Sequence, residues 1–264
     1  MESDGGAADV RNWLRGTVLV MAAAAVLVMV WQAAVTAYRV PAYLVPAPDA
    51  VWHSAVLHWQ VLLRQTGTTL GAASLGLLVS SLFAAGAAML FTVSRDAEQA
   101  MTPLLLAFRT APVAAVAPLI MLFTGRGIAT SVVVVTIVSF FPIFVNLRRG
   151  LVSVERGALE LFHVHDASVW QQVVLLRLPA ALPFLFTGLR VAAGSAVLGA
   201  MLSEWITGTR GLGNLILESS EMREVELLWS AVVTAVISGL VVFALTSLGE
   251  ARATRWRRAG ARTG

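Results

Sequence analysis

The chain has 264 residues, 58% of them hydrophobic and 13% charged, with a formal net charge of +4 and a mean hydropathy of +0.79. A soluble domain carries about 25% charged residues, so the composition argues against a water-soluble fold; the apolar runs are continuous, not alternating, which selects membrane helices over a closed barrel. All 19 basic residues are arginine and cysteine is absent, which excludes a G-x-x-x-x-G-K-[ST] phosphate loop, disulfides and thiolate-ligated metals.

About twenty residues rising ~1.5 Å each cross a hydrocarbon core of about 30 Å. After a tail at 1–15, six runs meet that length: 16–38, 69–93, 103–123, 128–145, 182–202 and 227–248. Together they predict one transmembrane domain over 16–250, followed by an Arg-rich tail at 251–264. The first run, with Arg11 and Arg15 before it and Ala33, Ala34 and Ala37 near its end, also has features of a signal peptide. Its apolar stretch is longer than the roughly 7–15 residues usual for one.

Between the first two runs, Pro41, Pro46 and Pro48 predict an extended segment and Asp49 a helix N-cap. Trp52, Ala55, Val56, Trp59 and Leu63 then recur at helical spacing, predicting an amphipathic helix at the outer surface. Both a tryptophan anchor at headgroup depth and a part in transport are open to it. Small residues repeat every four positions at Gly67 and Gly71, at Ala192, Ala196 and Ala200, and at Ser195, Gly199 and Ser203. Such spacing lets helix backbones approach closely in a bundle or dimer.

Arginine placement sets the orientation. Twelve arginines fall on the side of the two tails and of a long connection at 148–177, and five on the other. Both termini and the 148–177 connection are therefore expected in the cytoplasm. The 39–67 segment and the loop with Glu218, Glu221, Glu224 and Glu226 are expected outside. Because the arginines flank apolar runs, membrane orientation accounts for them and no nucleic acid partner is implied.

Arg109 and Arg190 lie within predicted spans and Glu204 just after one. An ionisable group at membrane depth costs about 2.5–3.5 kcal/mol on insertion scales and turns toward a cavity or partner. Arg109 is within snorkelling reach of the headgroups. Arg190 is deeper, and an internal ion pair, a wet cavity or snorkelling would satisfy it. Glu204 is expected near the outer mouth, in a structural role or on a solute path. His163, His165 and Asp166 do not form a metal site, because helical positions two apart diverge. No Ser-His-Asp set, paired carboxylates or H-E-x-x-H appears, so the chain is expected to catalyse nothing by itself.

In the 148–177 connection, Leu159, Leu161, Phe162 and Val164 surround Glu160 in an amphipathic stretch too short to span. A short helix lying across the cytoplasmic face is predicted, either as a docking element or as a solvated loop helix, with Gln172 on the solvated side. Segments 146–151 (NLRRGL), 160–171 (ELFHVHDASVWQ) and 177–183 (RLPAALP) resemble the EAA loop of binding-protein-dependent ABC importer permeases, E-A-A-x-x-x-G-A-S-x-W-Q followed by L-P-x-A-L-P. The likeness continues through 188–192 (GLRVA), 203–204 (SE) and 211–216 (GLGNLI), with 45–48 (VPAP), 111–112 (AP) and 117–119 (APL) upstream. The chain departs from the pattern at Leu161 and Phe162, which replace alanines, and at Asp166, which replaces a turn glycine. Aspartate tolerates the left-handed conformation such a turn needs.

The resemblance implies an all-α membrane protein of about six transmembrane helices with a cytoplasmic coupling helix, the type I ABC importer permease fold. It implies a prokaryotic cytoplasmic membrane as the location. It places ATPase coupling on Glu160, Leu161, Phe162, Asp166, Ala167 and Ser168, and makes Arg190 and Glu204 candidates for the substrate path. It implies as partners a dimer of ABC ATPase subunits, a second permease copy in a homodimer, an extracytoplasmic substrate-binding protein and membrane lipid. No cofactor is expected on this chain, since ATP and Mg would be bound by the ATPase. The nearest branch is that of nitrate, sulfonate and taurine permeases, within it those for thiamine-pyrimidine precursors or riboflavin. The competing readings are a structural or regulatory membrane protein and a secondary transporter, which would favour inverted repeats and paired acids at midmembrane.

Overall fold

The computed structural model describes residues 4–110, 112–208 and 210–253, with side chains omitted at 4–18, 20–21, 108–109 and 252–253. Arg109 and the tails therefore lie outside the described side chains. No strand occurs among the described residues. The helices are α1 (Asp4–Ala37), α2 (Pro48–Leu57), α3 (Trp59–Val93), α4 (Arg95–Thr110), α5 (Val113–Thr124), α6 (Ile128–Val152), α7 (Arg156–Val164), α8 (Val169–Gln172), α9 (Leu178–Thr207), α10 (Leu212–Glu221) and α11 (Val225–Ala253). A π-helical stretch, Val173–Arg177, joins α8 to α9 without a break.

Among the described residues, four helical stretches are long and apolar enough to cross a membrane: Trp59–Val93, Ile128–Val152, Val169–Thr207 and Val225–Ala251. Val113–Thr124 is a shorter apolar helix, and Ala22–Ala37 is the apolar stretch of α1 whose side chains are described. The run expected at 103–123 is divided between α4 and α5. Pro112 stands before α5 in an extended conformation, φ −72° and ψ 99°, and a proline has no N–H for the helical ladder and crowds the preceding turn. The twelve residues of α5 rise only ~18 Å.

The amphipathic segment also differs from expectation. Its N-cap is Ala47, with Pro48 opening the helix and Asp49 inside the first turn, where proline's fixed φ and an acidic group both suit the helix start. The helix ends at Leu57, so Trp59 and Leu63 belong to α3. Val51 and Ser54 are its buried positions, while Trp52, Val56, Trp59 and Leu63 are exposed.

The chain divides into two compact units, Met1–Trp59 with Ser219–Ser230, and Gln60–Glu218 with Ala231–Gly264. In the first, the rings of Trp31 and Trp229 lie 5.4 Å apart, Trp229 Nε1 donates to the Leu44 carbonyl at 3.3 Å, and Ser230 Oγ donates to the Val51 carbonyl at 2.9 Å.

The second unit is organised on the pairing of α6 with α9. Ala192, Ala196 and Ala200 are fully buried. A methyl group on Gly188 would lie 2.9 Å from the Ile143 Cα, and one on Gly199 2.9 Å from Val138 Cγ2. The four-residue spacing in α9 is thus used within the chain, against α6, where close backbone approach supplies the packing that drives association in lipid. Gly67 and Gly71 have no atom within 4 Å of a Cβ position, so they serve no close approach inside this chain. Phe144 stands at the core's aromatic end, edge-on to Phe91 at 5.3 Å and stacked on Phe140 at 5.7 Å. Arg148, on α6, holds the Glu98 carboxylate of α4 at 3.0 and 3.1 Å.

Candidate functional site

The connection between α6 and α9 folds as helix, turn and helix. α7 ends through bonds from the amides of His165, Asp166 and Ala167 to the carbonyls of Leu161, His163 and Phe162. Asp166 takes the left-handed φ of +49°, the conformation expected where the related pattern has glycine. Ser168 then opens α8 with a capping box: Ser168 Oγ accepts the Gln171 amide at 3.2 Å, and Gln171 Oε1 accepts the Ser168 amide at 2.8 Å. Each capping bond satisfies an otherwise orphaned amide.

The far side of the turn is anchored. Gln172 is buried, and its Nε2 donates to the Ala167 carbonyl at 3.1 Å. This corrects the expectation that Gln172 faces solvent: the turn folds back over its side chain. Arg177 Nη1 donates to the Leu151 carbonyl, near the end of α6, at 3.2 Å. The loop is therefore fastened to both core helices it connects.

Glu160, Leu161, Phe162, Asp166, Ala167 and Ser168 are brought together in this one element. α7 buries none of its residues. Leu161 is 57% exposed, Val164 80% and Trp170 64%, whereas Phe162 is half-buried. The outward apolar surface thus runs through Leu161, Val164 and Trp170. Val164 and Trp170 were quoted in the motif, yet no periodicity distinguished them from Phe162.

Arg190 and Glu204 do not share a site. They stand fourteen positions apart on α9, a rise of ~21 Å. Arg190 forms an ion pair with Glu250 of α11, and Thr187 Oγ1 lies 3.4 Å from Glu250 Oε1. This is the internal pair that the cost of an arginine at membrane depth demands. Glu250, two positions past the predicted end of the last span, is the complement that sequence reading missed.

Glu204 is 1% exposed. Thr69 Oγ1 lies 2.8 and 3.1 Å from its two carboxylate oxygens, and the Gly213 amide donates to Oε2 at 2.9 Å. Thr69 Oγ1 also accepts the Leu212 amide at 2.9 Å. The carboxylate thereby caps the first turn of α10, where orphan amides and the helix dipole favour an anion. Gly211, with φ +148°, passes so close that a Cβ would collide with the carboxylate. Beside it, Ser131 Oγ donates to Ser203 Oγ at 3.1 Å, and a cavity of about 350 Å³ is lined by Thr68, Ser131, Glu204 and Arg210 among others.

Comparison with known proteins identifies the family. The family described as binding-protein-dependent transport system inner membrane component matches residues 76–258. The chain is 33% identical to a riboflavin transport system permease protein of Chloroflexus aurantiacus, over 87% of each chain. It is 35% identical to a formylaminopyrimidine transport permease protein of Halalkalibacterium halodurans, over 71% of this chain and 75% of the relative. Its fold is similar to that of a chain in an inward-facing structure of the MetNI methionine ABC transporter, with a TM-score of 0.67 at 17% identity, covering 75% of this chain and 98% of that one. The chain is a multi-pass membrane protein belonging to the family of inner membrane components of binding-protein-dependent transport systems, the permeases of ABC importers.

Proposed function

We propose that the chain is one half of a two-fold permease dimer, with the solute path between the two copies and ATP hydrolysed on two separate ATPase subunits docked at the 148–177 connection. The supporting observation is the exposed apolar side chains of this connection: Leu161 and Val164 on α7, a helix of nine residues that is too short to span a membrane, and Trp170 on α8. Exposed apolar side chains grouped on a connection between spans are candidates for a protein contact. In this reading Leu161 supplies the apolar contact, with Phe162 beneath it. Glu160 orients the contact, and Asp166, Ala167 and Ser168 shape its turn.

Both termini and this loop face the cytoplasm, and a loaded binding protein docks on the opposite face. ATP binding and hydrolysis bias the dimer between inward-open and outward-open states. The bonds of Arg190 and Glu204 support roles in fixing α9 to α11 and to α10, in preference to direct solute contact. The solute is a small organic molecule of the kind named for the relatives, and Mg and ATP belong to the ATPase.

The test is co-purification of the chain with its ATPase subunit. Leu161→Asp and Val164→Asp are expected to abolish the complex while leaving membrane insertion intact. A complex of undiminished yield in both variants would place the contact elsewhere.

A further inference from the structure

α9 and α11 meet closely at one end and part toward the other. Near Arg190 and its partner Glu250, a methyl group on Gly249 would lie 2.9 Å from the Phe186 ring. Further along α9 the two helices have separated. A cavity of about 680 Å³ lies between them, lined by residues from Gly194 to Trp205 on α9, from Val232 to Gly239 on α11, and by Gly213 and Ile216 of α10. All of these residues belong to the second compact unit. α10 is pressed onto α9 there, since a Cβ on Gly213 would collide with the Met201 carbonyl.

The lining of this slot is apolar, with the Trp205 indole as its one polar handle. Gly194 and Gly239 stand on the two helices that bound it, and neither has an atom within 4 Å of a Cβ position. Glycine weakens a helix interior relative to alanine, and the chain's own packing requires it at neither position. In a bilayer an unfilled void forfeits dispersion contacts along its whole lining. The space is therefore filled from outside this chain.

Its dimensions select the occupant. Gly194 and Trp205 stand eleven positions apart on α9, a rise of ~16 Å, and half of a hydrocarbon core of about 30 Å is ~15 Å. The slot thus has the depth of one leaflet. Its volume spread over that length leaves a mean cross-section of roughly 40 Å², whereas a helix about 10 Å across covers roughly 80 Å². A helix of a second copy does not enter it, and a chain of methylenes does. Leu198 and Val236 line the slot and are exposed, so it is open along its side. Trp205, 50% exposed, is two positions from the end of α9, where a span meets the headgroups and an indole N–H finds acceptors. No lining residue is charged, which matches an uncharged chain.

We propose that the slot holds one acyl chain of a phospholipid from the leaflet on the α10 side, with the ester groups of that lipid at Trp205. This lipid is bound, unlike the lipid that exchanges around the spans, and it fills the gap between α9 and α11 beyond their ion pair.

The test uses the full chain, purified from membranes in a mild detergent and reconstituted in phosphatidylcholine vesicles. Native mass spectrometry of the detergent form is expected to show one retained phospholipid per chain. Gly194→Leu with Gly239→Leu places side chains where a Cβ meets no atom of this chain, and is expected to lower that occupancy about tenfold, the scale of a lost packing site. In vesicles of phosphatidylcholine brominated along its acyl chains, the Trp205 emission, taken as the difference from Trp205→Phe, is expected to be quenched. The glycine replacements are expected to relieve that quenching. Should the pair fail to insert, Gly194→Leu alone carries both readouts, and an unquenched Trp205 in the native chain overturns the site by itself. Absence of retained lipid, or occupancy and quenching unchanged by the replacements, also overturns it. So does Leu198→Cys, a single thiol in a chain without cysteine, if oxidation in native membranes joins two copies in high yield, because a second copy then covers the slot.

Discussion

The Thr69 hydroxyl and the Glu204 carboxylate, 135 positions apart in the chain, meet at 2.8 Å, and the same hydroxyl oxygen accepts the Leu212 amide at 2.9 Å. One threonine therefore ties α3 to the end of α9 and the beginning of α10. Thr69→Val is expected to leave a buried carboxylate and a buried amide short of a partner, at about 1–3 kcal/mol each. Thermal unfolding in detergent reads this as a lowered midpoint, with Thr69→Ser close to the original. Gly211→Ala is expected to be worse, because its Cβ meets the carboxylate at a φ that side chains rarely adopt. A Gly211→Ala protein of unchanged stability would show that the loop relaxes freely.

Arg190 and Glu250 are expected to behave as a unit. Replacing Arg190 alone with leucine removes the cation that faces Glu250, and Glu250→Gln alone removes the anion that faces Arg190; each is expected to lower stability. The double variant Arg190→Leu, Glu250→Leu removes both charges and is expected to recover much of the loss. A double-mutant cycle on detergent stability checks this, and strictly additive losses would mean that the pair does not couple.

The two faces of the connection are expected to differ in kind. Gln172→Ala removes the bond to the Ala167 carbonyl and is expected to cost about 1 kcal/mol of stability while ATPase binding survives in the folded fraction. Trp170→Ala leaves stability unchanged and weakens the ATPase complex more than tenfold, the scale of an aromatic anchor at an interface. Pull-down affinities beside melting curves separate the two effects. Equal outcomes for Gln172→Ala and Trp170→Ala would contradict the division.

Much of the fold was readable from apolar runs, since a bilayer demands length and continuity that composition exposes directly. Residues 128–145 and 227–248 fall inside α6 and α11 for that reason. The helices overrun their apolar cores, as α3 does from Trp59 to Val93, because hydropathy marks the lipid-facing stretch and not the end of the hydrogen-bond ladder. The break at Pro112 was hidden for the opposite reason: hydropathy ignores backbone donors, and Ala111 and Pro112 look apolar. The turn at Asp166 was legible because it is local. The partners of Glu204 and Arg190 were not, because Thr69 and Glu250 reach them only through tertiary packing.

Orientation is open to a direct check, since the absence of native cysteine makes single engineered thiols unambiguous. Arg156→Cys is expected to react with an impermeant maleimide only after the cytoplasmic side is opened, and Glu221→Cys in intact cells. Both positions are exposed. Reaction of Arg156→Cys from outside would remove the ATPase from its proposed docking loop.

The most direct measurement is solute uptake beside ATP hydrolysis in proteoliposomes holding the chain, its ATPase and its binding protein, comparing the native sequence with the Leu161→Ala, Trp170→Ala double variant. The native complex is expected to hydrolyse ATP faster when the loaded binding protein is present and to accumulate solute. The variant is expected to insert normally and to lose both responses at least tenfold. Uptake and stimulated hydrolysis that persist unchanged in the variant would contradict coupling through the 148–177 connection.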